Sequence, residues 1–92
     1  MTVTIQVGNS DDKLRQSAWA GFVNETESVI KTHCVEVHFA GGSPPAARWQ
    51  NFAWVVECLP EQLDFLKRAV QRVRMKYGQS SVAYTEGKTQ FV

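Results

Sequence analysis

The chain has 92 residues, 43% of them apolar and 21% charged, and a net charge of +1. That balance excludes a disordered chain; six glycines and three prolines exclude a collagen-like or low-complexity one. No apolar run approaches the roughly 18 residues of a membrane span, and a single domain this small buries only about 60–65% of its unfolded surface, which leaves little room for a large enclosed active site.

Residues 2–7 alternate, with Val3, Ile5 and Val7 on one side and Thr2, Thr4 and Gln6 on the other. A period of two with β-branched residues predicts a half-buried strand. The segment has neither a basic n-region nor a long apolar run, so it does not read as a signal peptide and a cytosolic location is expected. Gly8-Asn9 breaks the strand.

Ser10 suits a helix N-cap, and Asp11 and Asp12 place negative charge at the positive end of the helix dipole. Leu14, Ala18, Phe22 and Val29, flanked by Trp19, Val23 and Ile30, predict a helix over roughly 11–31. Gly21 within it costs about 1 kcal/mol against Ala, and a close contact with the sheet is the expected reason for it.

From 33 to 40 the alternation resumes, with Val35, Val37 and Phe39 inward and Cys34, Glu36 and His38 outward. Gly41 to Pro45 cannot continue a strand. From 49 to 59, Phe52, Trp54, Val56 and Cys58 share one face, while Asn51, Ala53, Val55 and Glu57 share the other. The two strands form a hairpin with a long loop. Matching their apolar faces pairs Val35 with Val56, Val37 with Trp54 and Phe39 with Phe52. In that register Cys34 points out and Cys58 in, so no disulfide between them is expected.

Pro60 suits a first helical turn. Leu63, Leu66, Val70, Val73 and Tyr77 step by three and four, predicting a second helix closed by Gly78. The runs 81–85 and 89–92 are short β-type segments, forming one bent strand or a small terminal hairpin. The order β-α-β-β-α-β predicts an α+β, ferredoxin-like sandwich over residues 1–92. Two helices cover one face of an antiparallel sheet, the first and third strands are central, and an extra short C-terminal strand is allowed.

Chemistry is hard to place on this layout. His33, Cys34, His38 and Cys58 are metal-ligand types, but adjacent strand residues face opposite ways, and Cys34 and His38 lie about 13 Å apart. Neither a metal nor a cofactor is expected. Cys34 as a nucleophile would sit among Glu36 and Glu57, which raise a thiol's pKa. Those two carboxylates, on an open sheet face, read as solvated rather than as an acid–base pair. The loop from Gly41 to Arg48 lacks phosphate-binding spacing. No catalytic residue is assigned and the chain is read as a non-enzyme.

The aromatic set is large for 92 residues: Trp19, Trp49 and Phe65 lie off the main stripes. With Arg48 they are the expected contacts to a protein partner or to a second copy of the chain. Arg68, Arg72 and Lys76, at i, i+4 and i+8, form a basic stripe that provides a nucleic-acid-binding alternative, although the open sheet face, read without an aromatic, does not suit base stacking. A third alternative is a small cofactor-free dimeric oxygenase of the ferredoxin-like type, which requires an open pocket between helices and sheet.

The segment from His33 to Cys58, with Gly41-Gly42-Ser43-Pro44-Pro45 leading into Arg48-Trp49-Gln50-Asn51-Phe52-Ala53-Trp54, resembles small accessory proteins encoded by actinobacterial phages of the mycobacteriophage type. The opening Ile5-Gln6-Val7-Gly8-Asn9-Ser10-Asp11-Asp12-Lys13-Leu14 is similar to them too. The resemblance implies an early or accessory protein of unassigned biochemical role that acts in the host cytoplasm, and some such proteins bind and disable host factors. It implies no functional residues.

Overall fold

The computed structural model describes residues 1–9, 13–44 and 47–92. Its elements are β1 (Thr2–Gly8), α1 (Gln16–His33), β2 (Glu36–Gly42), β3 (Asn51–Glu57), a one-turn 3-10 helix (Pro60–Gln62), α2 (Leu63–Lys76) and β4 (Ala83–Gly87). The four strands form one antiparallel sheet in the order β2-β3-β1-β4, with β1 and β3 in the centre. This is the expected ferredoxin-like sandwich.

Alternation explains β1: Val3, Ile5 and Val7 are buried and meet Phe52, Trp54 and Val56 across the β1–β3 ladder. With Phe22 and Ile30 from α1 and Leu66, Val70 and Val73 from α2, they build a single core between the helices and one sheet face. α2 follows its 3-4-3-4 spacing. It ends in a Schellman motif, in which Gly78 at φ +66° lets its own N–H reach the Met75 carbonyl and that of Gln79 reach Arg74.

In α1 the buried stripe is Trp19, Phe22, Thr26 and Ile30, one position round from the predicted Leu14-Ala18-Phe22-Val29 face. Thr26 is tolerated inside because its hydroxyl donates to the Phe22 carbonyl at 2.7 Å. The rotation buries Trp19, only 8% exposed, which corrects its assignment as a partner contact. Gly21 makes room for α2 rather than for the sheet: a Cβ there would come within 2.7 Å of the Tyr77 hydroxyl. The predicted cap Ser10, with Asp11 and Asp12, lies outside the described residues. The approach to α1 is held instead by buried Asn9, whose side chain donates to the Leu14 carbonyl at 2.9 Å and accepts from the Leu14 N–H at 3.0 Å. Its backbone N–H donates to the Gln50 carbonyl at 2.8 Å.

The largest departure is in β2. Val37 pairs with Val56, but a β-bulge at His38 makes Phe39 face Val55 and Ala40 face Trp54. One extra residue inverts every side chain beyond it. Phe39 therefore leaves the core and stands 55% exposed on the uncovered sheet face. Val35, expected inside, is exposed as well, because the helix runs on to His33 and the strand begins only at Glu36. Cys34 is the C-cap of α1 rather than a strand residue, and it packs against the core instead of pointing outward. After β4, residues 88–92 form no strand: Phe91 is almost fully exposed, and the Thr89 hydroxyl meets that of Thr2.

The bulge gives a direct stability test. Phe39→Ser is expected to change the folding stability read by urea titration by no more than about 0.5 kcal/mol, as at an ordinary surface site. A loss near the ~3–5 kcal/mol of an emptied core aromatic would return Phe39 to the interior.

Candidate interaction surface

With both helices on one side, no helix or strand among the described residues covers the second face of the sheet. β1 supplies Thr4 and Gln6 to it, β3 supplies Ala53 and Val55, and β4 supplies Ala83 and Thr85. Phe39 is its aromatic residue from β2, opposite Val55. The ring leans over Gly41, where a Cβ would come within 2.8 Å of the Phe39 Cζ. It is thus directed along β2 toward the hairpin loop.

Trp49 in that loop is 61% exposed, and the Arg48 guanidinium lies 5.0 Å from its ring centroid. Phe39 sits three residues before the end of β2, about 10 Å of strand from the loop. One hairpin therefore carries Phe39, Arg48 and Trp49. Phe65 is also exposed, with Arg68 5.4 Å from its ring, but it belongs elsewhere. Trp49 precedes β3 and Phe65 follows it, and seven strand residues rise about 23 Å. The expected partner contacts Trp49 and Phe65 therefore lie on separate parts of the surface, and Trp19 is buried. Phe39, which joins the surface, was hidden from the alternation because a bulge inverts parity without a proline or glycine at its centre.

On α2 the basic stripe is thinned by ion pairing. Lys76 binds Glu25 of α1 at 2.7 Å, leaving Arg68 and Arg72. Arg74, beside the stripe, donates to the Gln79 and Ser80 carbonyls at 2.8 and 3.2 Å.

At the far end of the uncovered face Glu57 gathers several groups. It accepts from the N-terminal amine at 2.6 Å and from the Thr2 hydroxyl at 3.2 Å, and His38 lies 3.3 Å away. His38 and Thr2 both address the carboxylate rather than each other, so the cluster lacks a nucleophile–base contact. The amine, then His38, hold the Glu57 carboxyl below its ordinary range. Lys76 does the same for Glu25, and the Tyr84 hydroxyl, then Lys67, for Glu86. A carboxyl whose folded pKa is depressed contributes stability above the unfolded value, about 4.3, and loses it as pH falls through the folded value. The urea midpoint is therefore expected to be flat from pH 7 to 5 and to fall below pH ~4, with Glu57→Gln flattening part of that fall. All three are solvent-exposed, so the effect is modest and screened by salt. A midpoint that rises on acidification would contradict this.

Among the described residues no group of three His, Cys, Asp or Glu side chains is arranged to hold a metal. His33 meets Gln62 at 3.2 Å. The Cys34 thiol is pushed up to about 12, by burial first and then by Cys58 beside it. The direction matches expectation, but the cause is burial and not the carboxylates. Between the layers the space is filled by Trp54, Phe22, Ile5, Ile30 and Leu66. A groove of about 300 Å³ lies at the rim, between α2 and β4. Its charged lining is tied to neighbours, Lys67 to Glu86 at 3.3 Å and Arg74 to the two carbonyls.

No family model matches the chain, and no curated protein matches it. Among solved structures it is similar to the C-terminal domain of the MgtC protein from Mycobacterium tuberculosis, determined in solution. The TM-score is 0.62 and the identity 12%, over 94% of this chain and 86% of that one. At that identity the likeness shows the fold alone. No helix among the described residues is long and apolar enough to cross a membrane.

Proposed function

We propose that the chain is a non-enzymatic interaction module that binds a protein partner through the β2–β3 hairpin and the uncovered sheet face. The observation that carries this reading is Phe39, turned out of the core by the bulge onto a face that no helix or strand among the described residues covers. It stands in the same hairpin as the exposed Arg48–Trp49 stack. Exposed aromatics and arginines supply most of the energy of protein interfaces. The resemblance to actinobacterial phage accessory proteins adds a host protein as partner and the host cytoplasm as the place of action. A second copy of the chain is the other occupant of the same face.

The test is capture from actinobacterial host extract by wild-type protein and by folded Arg48→Ala/Trp49→Ala and Phe39→Ser variants. Loss of one specific captured protein in both variants supports the reading; undiminished capture by both removes the hairpin from it. Light scattering of the purified chain separates self-association from binding to a host protein.

One observation favours a second reading. Phe39 gives the sheet face an aromatic, the feature on which RNA-binding members of this fold stack bases. That reading requires labelled single-stranded RNA to bind at low salt, with affinity falling steeply as salt rises and on Phe39→Ser. Absence of a mobility shift rejects it, together with the Arg68–Arg72–Lys76 alternative if duplex DNA also fails to shift. The oxygenase alternative requires a substrate pocket between helices and sheet, where Trp54, Phe22, Ile5, Ile30 and Leu66 pack.

A further inference from the structure

We propose that Cys34 and Cys58 are an oxidative modification site, forming a reversible intramolecular disulfide where the C-terminus of α1 meets the end of β3. The Val35 N–H donates to the Glu57 carbonyl at 2.8 Å. That bond joins the residue after Cys34 to the residue before Cys58, just beyond the last strand pair, Glu36 with Glu57, and both cysteines pack into the same core. The Cys58 thiol donates to the His33 carbonyl at 3.4 Å, so its sulfur lies at the peptide bond leading into Cys34. A disulfide needs its Cβ atoms about 3.5–4.5 Å apart. Rotation about the Cα–Cβ bonds turns the sulfurs toward each other, and any closer approach of the Cβ atoms comes from the backbone where α1 ends.

Both thiols are free. Cys34 is half-buried and reachable by a small oxidant, whereas Cys58 is 1% exposed and is reached through its neighbour. With hydrogen peroxide as oxidant, the Cys34 thiolate attacks one peroxide oxygen, the O–O bond breaks, and a sulfenic acid and hydroxide form. The Cys58 thiolate then displaces the sulfenic oxygen, closing the S–S bond. The two thiol protons leave with the two oxygens as two waters, and the sulfur pair has lost two electrons. Burial that disfavours both thiolates makes the first step slow, so the pair responds to sustained rather than transient oxidant. The bond would close covalently the segment from 34 to 58, which contains the whole β2–β3 hairpin.

The experiment treats the intact chain with hydrogen peroxide or diamide and reads intact mass, free thiols and peptide maps, with dithiothreitol as the reversal. Expected are a mass loss of two hydrogens, no alkylatable thiol, a Cys34–Cys58 linked peptide, and a thermal midpoint several degrees above that of the reduced form. Cys34→Ser and Cys58→Ser should each abolish the mass loss. The wild-type measurement decides the matter even if either variant fails to fold. Two thiols still alkylatable after prolonged oxidation, a disulfide-linked dimer through Cys34, or oxygen added without loss of hydrogens would each overturn the proposal.

Discussion

Trp54→Ala is expected to cost about 4 kcal/mol of folding stability, within the ~3–5 kcal/mol range for emptied aromatic core sites. Trp54 is fully buried, sits on a central strand opposite Ile5, and packs against Phe52 at 4.7 Å between ring centroids. Its indole N–H donates to Glu27 of α1 at 3.2 Å, so truncation also removes a link between helix and sheet. A domain of this size has only ~5–15 kcal/mol in total, and the variant should be substantially unfolded at modest urea. Trp49→Ala, at an exposed loop position, is expected to leave the midpoint nearly unchanged. Equal losses at the two tryptophans would refute the assignment of one to the core and the other to the surface.

Gly42→Ala is expected to cost about 2–3 kcal/mol, at the upper end of what overpacking costs. A Cβ on Gly42 would stand 2.2 Å from the Asn51 carbonyl oxygen and 3.0 Å from the Phe52 Cα. These are backbone atoms of the paired strand, which a rotamer change cannot move aside. Relief requires the hairpin ladder itself to open. Gly87 provides the control, since a Cβ there meets nothing within 4 Å. Gly87→Ala should be neutral or slightly stabilising through the unfolded chain. Urea titration of the two variants side by side reads the difference. A neutral Gly42→Ala would mean that the strands do not pair closely at that point.

Element order, sheet topology and most of the core were legible because they rest on periodicity. Val3-Ile5-Val7, Trp54-Val56-Cys58 and Leu66-Val70-Val73 each announce a buried face by spacing alone. What failed was whatever a single local geometry decides. The bulge at His38 has no compositional mark, so Phe39 was placed inside when it belongs outside. Thr26 reads as polar until its hydroxyl finds a carbonyl one turn back, and that misreading pushed Trp19 toward the surface. Helix α1 runs to His33, two residues beyond its predicted end, and this carries Cys34 from an outward strand position to a place beside Cys58. Asn9 was read only as a strand breaker; its two-way bond to the Leu14 backbone depends on a chain reversal that spacing does not disclose. Of the expected partner contacts, Arg48, Trp49 and Phe65 are exposed and Trp19 is not, and distance along β3 separates the first two from the third.

The functional account stands on Phe39 being presented to a partner by the uncovered sheet face. Photocrosslinking tests this most directly, with a benzophenone amino acid placed at position 39 and, in separate chains, at 22 and 72. Irradiated in host extract, position 39 should give a discrete adduct with one host protein or with a second copy of the chain. Position 22, in the core, and position 72, on the outer side of α2, should give none. Adducts arising from position 72 while position 39 stays silent would contradict the account and move the interface to the helical side of the molecule.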